Sequence, residues 1–309
     1  MFVQLLSHLV TYYLIPATFL WFLGWGRFKA RLDWLVTAIM VSTYIIYIYF
    51  SGRWDWIWYP FRMVVFWSWL GVVLYSGWKT RRLPSRKSLS PQRKFLYGFQ
   101  GIITSFFALF AYFAVKGQFY NGEMVTFQFP LQQGTYYIAQ GGNSAILNYH
   151  HLAKPAQYAL DITRLGSDMR RAQNWMPAQL EQFYIYGDSV FAPCDGVIFA
   201  VTNSVPDMMV GEVDTAHFVG NYVGIRHPQG YHVFLAHLQK GSIPVTPGDT
   251  VTTGQFLGLV GHSGVVDEPM LHLHVERSDS LKILTGVGVA ITFNDRRFLT
   301  RNDLIRKTQ

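Results

Sequence analysis

The stretch Leu271-His272-Leu273-His274-Val275-Glu276 alternates apolar and polar residues, which is the pattern of a half-buried strand. Residues two apart on a strand point to the same face, so both imidazoles would look the same way. Two histidines held side by side on a stiff element suit a metal site, one as ligand and the other working beside the ion. A bare His-x-His pair serves packing or surface roles more often than catalysis. Further ligands and an acid–base partner must therefore come from elsewhere in the chain.

Two other stretches offer them. Asn148-Tyr149-His150-His151 is followed by Gln157-Tyr158-Ala159-Leu160-Asp161. A neutral imidazole and a carboxylate are good zinc ligands, and with one more histidine they leave a fourth position open for water. Tyr231-His232-Val233-Phe234-Leu235-Ala236-His237-Leu238 reads as a strand ending in a histidine. Alternation puts His237 on the face of Val233 and Leu235, opposite His232 and Phe234. His217, His227 and His232 read as surface or packing residues.

These residues lie in the part of the chain from about residue 120 onward. There, short β-prone runs are separated by Gly, Pro, Asn and Asp: Met124–Phe129, Thr135–Ala139, Ser189–Phe191, Gly196–Val201, Tyr222–Arg226, Tyr231–Ala236, Thr250–Val251 and Phe256–Val260. Such a texture predicts a mainly antiparallel β domain. Helix is expected only at Met169–Trp175 and Asp303–Lys307. The single cysteine, Cys194, excludes an intrachain disulfide and a cysteine-rich zinc site. It reads as a small residue packed at a turn.

The first part of the chain is different. Four apolar stretches, at about 4–24, 34–51, 57–78 and 96–116, approach the roughly 20 residues that span a bilayer as a helix. Trp21, Trp25, Trp54, Trp56, Trp58, Tyr59 and Trp78 sit at their ends, as interfacial anchors do. Charge is divided the same way: residues 1–119 hold 13 Lys/Arg against 2 Asp/Glu, and residues 120–309 hold 13 against 16. The basic excess thus lies among hydrophobic segments, and a nucleic-acid surface is not expected. Arg27, Lys29 and Arg31 follow the first stretch. Lys79, Arg81, Arg82, Arg86, Lys87, Arg93 and Lys94 follow the third. Positive-inside logic puts both loops in the cytoplasm, and the C-terminal domain outside. The domain division expected is a four-helix transmembrane region at 1–119 and an extracytoplasmic domain at 120–309.

The order His150, Asp161, Ala236-His237-Leu238, Gly254-Gln255, Gly261 and His272-Leu273-His274 resembles the M23 family of zinc metallopeptidases. These are the lysostaphin/LytM-like endopeptidases that cut peptidoglycan cross-bridges. Val190-Phe191-Ala192-Pro193-Cys194-Asp195-Gly196-Val197 is similar to the family's strand and turn after the aspartate ligand. Gly220-Asn221-Tyr222-Val223-Gly224-Ile225-Arg226-His227 resembles the strand leading toward Ala-His-Leu. The resemblance covers about residues 128–280. It implies a β domain of the LytM/lysostaphin-like type, with His150, Asp161 and His274 as Zn2+ ligands and His237 and His272 as the pair beside the metal. Zinc polarises a scissile carbonyl and activates water. One imidazole can take the water's proton while the other bonds the developing oxyanion, and the sequence leaves open which does which.

Three departures stand out. The family's common form has its first histidine four residues before the aspartate, where this chain has Gln157; His150 is preferred as the first ligand, with His151 as the alternative. Met270-Leu271 separates Pro269 from the histidine pair, where proline usually precedes it directly. His262 stands where a small polar residue is usual. The expected function is a multi-pass, membrane-anchored zinc metalloendopeptidase of the bacterial cytoplasmic membrane. Peptidoglycan peptides, the lipid bilayer and proteins met through the helices are its expected partners. The rivals are a non-catalytic M23-like module that binds or activates cell-wall hydrolases, and a transporter or sensor with the β domain as its lid.

Overall fold

The computed structural model describes residues 2–88, 90–293 and 298–307. The chain divides into two compact units. One comprises Met1–Trp54 and Trp58–Val115, the other Asp55–Ile57 and Lys116–Gln309.

The first unit is helical. Phe2–Trp25 forms one rod, in which α1 (Phe2–Leu9) passes through a π-helical turn (Val10–Leu14) into α2 (Ile15–Trp25). A π turn displaces backbone carbonyls from the regular ladder, and the Tyr44 hydroxyl donates to the Thr11 carbonyl at 2.6 Å. The other helices are α3 (Arg31–Ser51), α4 (Phe61–Thr80) and α5 (Pro91–Lys116). Leu23, Val41, Tyr44, Ile45, Ile48 and Val65 pack together, while Trp21, Trp25, Trp67, Trp78, Phe95 and Ile102 face outward. An apolar exterior around a small core is what a lipid environment permits. Among the described residues, Phe2–Trp25, Arg31–Ser51 and Pro91–Lys116 are long and apolar enough to cross a membrane. The helix α4, the third of the four expected spans, has the length but is not among these three, being rich in Trp, Gly and Ser and carrying Arg62 and Lys79. At the start of α3 the Asp33 carboxylate accepts from the Lys29 and Ala30 amides, from Arg93 at 2.7 Å and from the Tyr97 hydroxyl, which ties α5 to α3.

The second unit is built on β-strands: β1 (Met124–Phe127), β2 (Gly134–Gln140), β3 (Leu160–Leu165), β4 (Ser189–Phe191), β5 (Gly196–Thr202), β6 (Asn221–Arg226), β7 (Tyr231–Leu238), β8 (Thr250–Val251), β9 (Phe256–Leu259), β10 (Leu271–Arg277), β11 (Val287–Gly288), β12 (Ala290–Phe293) and β13 (Leu304–Lys307). Among the described residues nine strands form one sheet in the order β13-β2-β3-β10-β7-β6-β5-β8, with β11 beside β10. All its pairings are antiparallel. The separate pair β1–β12 is parallel.

Register divides the sheet into two faces. Leu273 lies opposite Leu160 on one side and Leu235 on the other, and Val223 lies opposite Leu235. Paired residues project to one face, so these leucines and valines build a continuous apolar core with Ile162, Ile225, Val233, Leu271 and Val275. Asp161, His272, His274, Glu276, Phe234 and His232 occupy the other face by the same pairing.

Two expected helices are not helices. Met169 adopts φ +58° within a turn closed by Met169 N–H to Gly166 carbonyl and Gly166 N–H to Arg170 carbonyl, and Ala172 bridges Phe183. A left-handed residue interrupts a right-handed helix before it can form. Leu304–Lys307 is strand β13, because Ile305 buries its side chain when the segment pairs with β2. Tertiary burial outweighs the local preference of so short a segment.

Within the second unit, buried Arg171 stacks its guanidinium 3.9 Å over the Trp56 ring and pairs with the Glu268 carboxylate, and its amide donates to the Asp55 carbonyl. Asp55–Ile57 is thus packed into the β unit although it lies between α3 and α4 in sequence.

Candidate functional site

Asp161, the second residue of β3, lies directly opposite His272 of β10, so both side chains emerge on the polar face. His150 arrives from a single 3-10 turn, Tyr149–Leu152. Asn148 caps that turn, its side-chain oxygen accepting from the His150 amide at 3.2 Å, while its amide group donates to the Ala159 carbonyl at 3.0 Å. One buried asparagine therefore links the turn to the residues entering β3 and brings His150 to Asp161. Gln157, at the position of the missing histidine, serves as backbone in this link. His150 Nε2 lies 3.0 Å from both Asp161 oxygens. The His151 ring instead lies 6.3 Å from that of Tyr158.

His272 places Nδ1 2.8 Å from Asp161 Oδ1 and Nε2 3.0 Å from His274 Nδ1. His274 stacks on Phe234 with ring centres 4.8 Å apart. The ligand atoms of His150, Asp161 and His272 all lie within 4.8 Å of one another. His274 thus stands next in the chain of contacts, joined to this trio through His272.

His237 reaches the same face in a way that alternation does not predict. Asn221 pairs with Leu238 and Tyr222 with Ala236, which leaves His237 as the extra residue of a β-bulge. Its φ is +63°, the left-handed conformation in which a bulge re-aims a side chain. The strand reading that put His237 with Val233 and Leu235 is corrected: its ring lies 5.9 Å from that of His272, on the polar face. Leu238 then returns to the core.

The backbone carbonyl of Ser263 fixes the tautomer of His237. The carbonyl can only accept, so Nδ1, 2.8 Å away, carries the proton and Nε2 keeps its lone pair. Ser263 is held in turn: its hydroxyl donates to the Leu238 carbonyl and accepts from the Asn221 amide. At Gly220 (φ +65°) a Cβ would lie 2.2 Å from the Ser263 carbonyl oxygen, so only glycine lets the two backbones meet there. His262 is also buried, donating Nδ1–H to the Met208 carbonyl at 2.8 Å.

Electrostatics match these contacts. Burial pushes the Asp161 carboxyl upward, but the adjacent His150 charge and hydrogen bonds from His150 and His272 outweigh it and hold it well below the usual range. Burial, with His272 nearby, lowers His237 to about 4. His272 is lowered by burial, and His274 well below its usual value by burial and then by His272 and His150. All three imidazoles are thus neutral at pH 7, as metal ligands and proton acceptors must be. Cys194 is buried and its thiol is pushed up to about 12, which leaves it inert.

These shifts dictate a pH dependence for the metal-free chain. In the unfolded state the imidazoles take protons below about 6.5, while folded His237 resists until about pH 4 and burial lowers His272 and His274 as well. The unfolded state therefore binds more protons in this window, and stability falls as pH drops through it. His237 alone accounts for about 3 kcal/mol at full extent. Asp161 contributes its own stability above the unfolded carboxylate value near ~3.9 and loses it only at lower pH. Melting temperature in the presence of chelator should drop between pH 7 and pH 4.5; a midpoint that holds steady or rises contradicts the buried neutral imidazoles.

A buried carboxylate ringed by imidazoles, with no lysine or arginine among its contacts from the described residues, is the donor chemistry of a zinc site. Among the described residues the basic groups touching it are histidines, and burial opposes protonation of His272. The residues fit a divalent cation.

Such a donor set on a β-sheet face is suited to holding a metal ion. Residues 182–283 match the family model described as Peptidase family M23. This match spans His237, His272 and His274. An endolysin of Staphylococcus phage 2638A is 39% identical over 79 residues, 24% of this chain and 16% of its own length. The peptidoglycan DD-endopeptidase ShyA of Vibrio cholerae is 32% identical over 163 residues, 51% of this chain and 33% of its own. The solution structure of lysostaphin aligns with 40% of this chain and 37% of that one at 20% identity and a TM-score of 0.26. The chain thus spans a third or less of the curated relatives it matches.

Sequence reasoning did not pick out Tyr149, whose hydroxyl donates to Asp161 Oδ2 at 2.8 Å, or Ser263. Tyr149 stands next to His150, a weak signal. Ser263 acts through a backbone atom, which leaves no trace in side-chain type.

Proposed function

We propose that the chain is a membrane-anchored zinc metalloendopeptidase that hydrolyses peptide bonds in peptidoglycan cross-links or stem peptides. The observation that carries this reading is the buried Asp161 carboxylate held among His150, His272 and Tyr149 on the same face as His237. The family of residues 182–283 supports peptidase chemistry, and the names of the relatives support peptidoglycan as the substrate. His150, Asp161 and His274 hold the ion, with His272 and His237 flanking it. Zinc, when bound, supplies a Lewis acid for the scissile carbonyl and acidifies water.

The protein's own groups do the rest. His237 Nε2, with Nδ1–H committed to Ser263, is the acceptor for a proton from water. His272, tied to Asp161 through Nδ1, is placed to bond the oxyanion once protonated. The apolar helices anchor the enzyme in the cytoplasmic membrane, and the basic loops put the β domain on the outer side. Anchoring raises the local concentration of enzyme beside the wall.

The test is digestion of purified peptidoglycan by the full chain in detergent, with and without chelator, with fragments read by mass. The full chain is used because Asp55–Ile57 belongs to the β unit. Chelator-sensitive fragments ending at a peptide bond are expected. Absence of both fragments and zinc would favour a binding module that acts on other hydrolases. The grouping of His150 and Asp161 with His272 favours a second ligand set in which His272 replaces His274. Zinc content of His272→Ala and His274→Ala decides between them, since only the ligand variant should lose the metal.

A further inference from the structure

Tyr149 is more than half exposed, so it contributes little to the core. Yet it makes two close contacts with the site. Its ring centre lies 4.1 Å from that of His150, tilted by 45°, and its hydroxyl donates to Asp161 Oδ2 at 2.8 Å. Asp161 Oδ1 receives His272 Nδ1–H at 2.8 Å, while His150 Nε2 stands equally far from both oxygens. The two carboxylate oxygens are therefore distinguished by the phenol and the His272 ring, not by His150.

We propose that Tyr149 is a positioning residue for the metal site: its hydroxyl holds Asp161 Oδ2 and its ring steadies the His150 imidazole, so one side chain orients two ligands. An ionised carboxylate accepts hydrogen bonds at both oxygens. Without the phenol, Oδ2 keeps only the contact with His150 that it shares with Oδ1, and the carboxylate is less restrained about χ2, a broad torsion for aspartate. Rotation changes which lone pair faces the ion and which faces His272. The 3-10 turn makes the arrangement local. Asn148 fixes the backbone, Tyr149 and His150 follow in sequence, and both side chains return to Asp161. Outer partners of metal ligands typically govern about 10- to 100-fold in metal affinity. Tyr149→Phe removes the hydroxyl and keeps the ring; Tyr149→Ala removes both.

This inference rests on the reading of the site as a zinc centre, and the experiment separates the two. The metal-free full chain in detergent is titrated with Zn2+ against a chromophoric chelator, for wild type, Tyr149→Phe and Tyr149→Ala. Melting of each metal-free protein is recorded in parallel. Wild type is expected to bind one zinc, Tyr149→Phe to bind it about 10-fold more weakly, and Tyr149→Ala more weakly still, with metal-free melting temperatures unchanged. Equal affinity in wild type and Tyr149→Phe overturns the inference and leaves the zinc reading standing. A matching loss of metal-free stability also overturns it, because the contact would then be structural. No zinc bound by wild type overturns both.

Discussion

An Asp161→Asn chain is expected to fold, to lose zinc on dialysis, and to hydrolyse peptidoglycan on the order of 10^3-fold more slowly or worse. Asparagine has the shape of aspartate and keeps an oxygen that can accept from His272 or Tyr149. What it lacks is the charge, and the charge is what this position supplies. Asp161 is fully buried, and among the described residues its side-chain hydrogen bonds come from His150, His272 and Tyr149. Those imidazoles balance the charge only by taking protons, which burial resists in His272. A cation resolves the conflict, because it attracts the carboxylate and needs the imidazoles neutral. Removing the charge therefore strips the ion of its anionic ligand while leaving the metal-free fold close to intact. Zinc content by elemental analysis and fragment release by mass spectrometry check the outcome together. Hydrolysis above a tenth of the wild-type rate in Asp161→Asn would remove Asp161 from the metal site.

The His237→Ala variant should behave in the opposite way with respect to metal. Zinc is expected to stay bound, since no Asp161 or His150 contact is touched, while hydrolysis falls by roughly 10^2- to 10^4-fold, the usual worth of a positioned general base. The Ser263 carbonyl gives the imidazole its tautomer, and burial keeps it neutral, so Nε2 is an acceptor throughout the neutral pH range. Alanine offers no acceptor there. A variant that keeps both zinc and full activity would assign the base to His272. One that loses zinc would make His237 a ligand.

Much of this architecture was legible before any coordinates. The β-prone runs from Met124 to Val260 correspond to strands because alternation and turn residues agreed with each other at each of them. The face shared by His272 and His274 follows from the same periodicity. Its failure at His237 has a specific cause: a bulge adds one residue, and alternation counted across it assigns the wrong side. The loop of Gln157 and His150 is a similar case. The sequence offered two histidines, and only the Asn148 link to the Ala159 carbonyl determines which one meets Asp161. Leu304–Lys307 and Asp55–Ile57 depend on distant partners, β2 and Arg171, that no local window contains.

The left-handed backbone at His237 sets the preferences of the fold against those of the chemistry at one position. A side chain there costs roughly 1–2 kcal/mol that glycine avoids, so the fold alone favours Gly or Asn. On the proposed function, selection for hydrolysis is what keeps an imidazole in place. In a lineage or library screened for thermal stability alone, this histidine should be among the first of the site to drift, ahead of Asp161, which is secured by its neighbours. On the proposed function, a descendant with glycine at 237 would keep its strands and its metal and have no base.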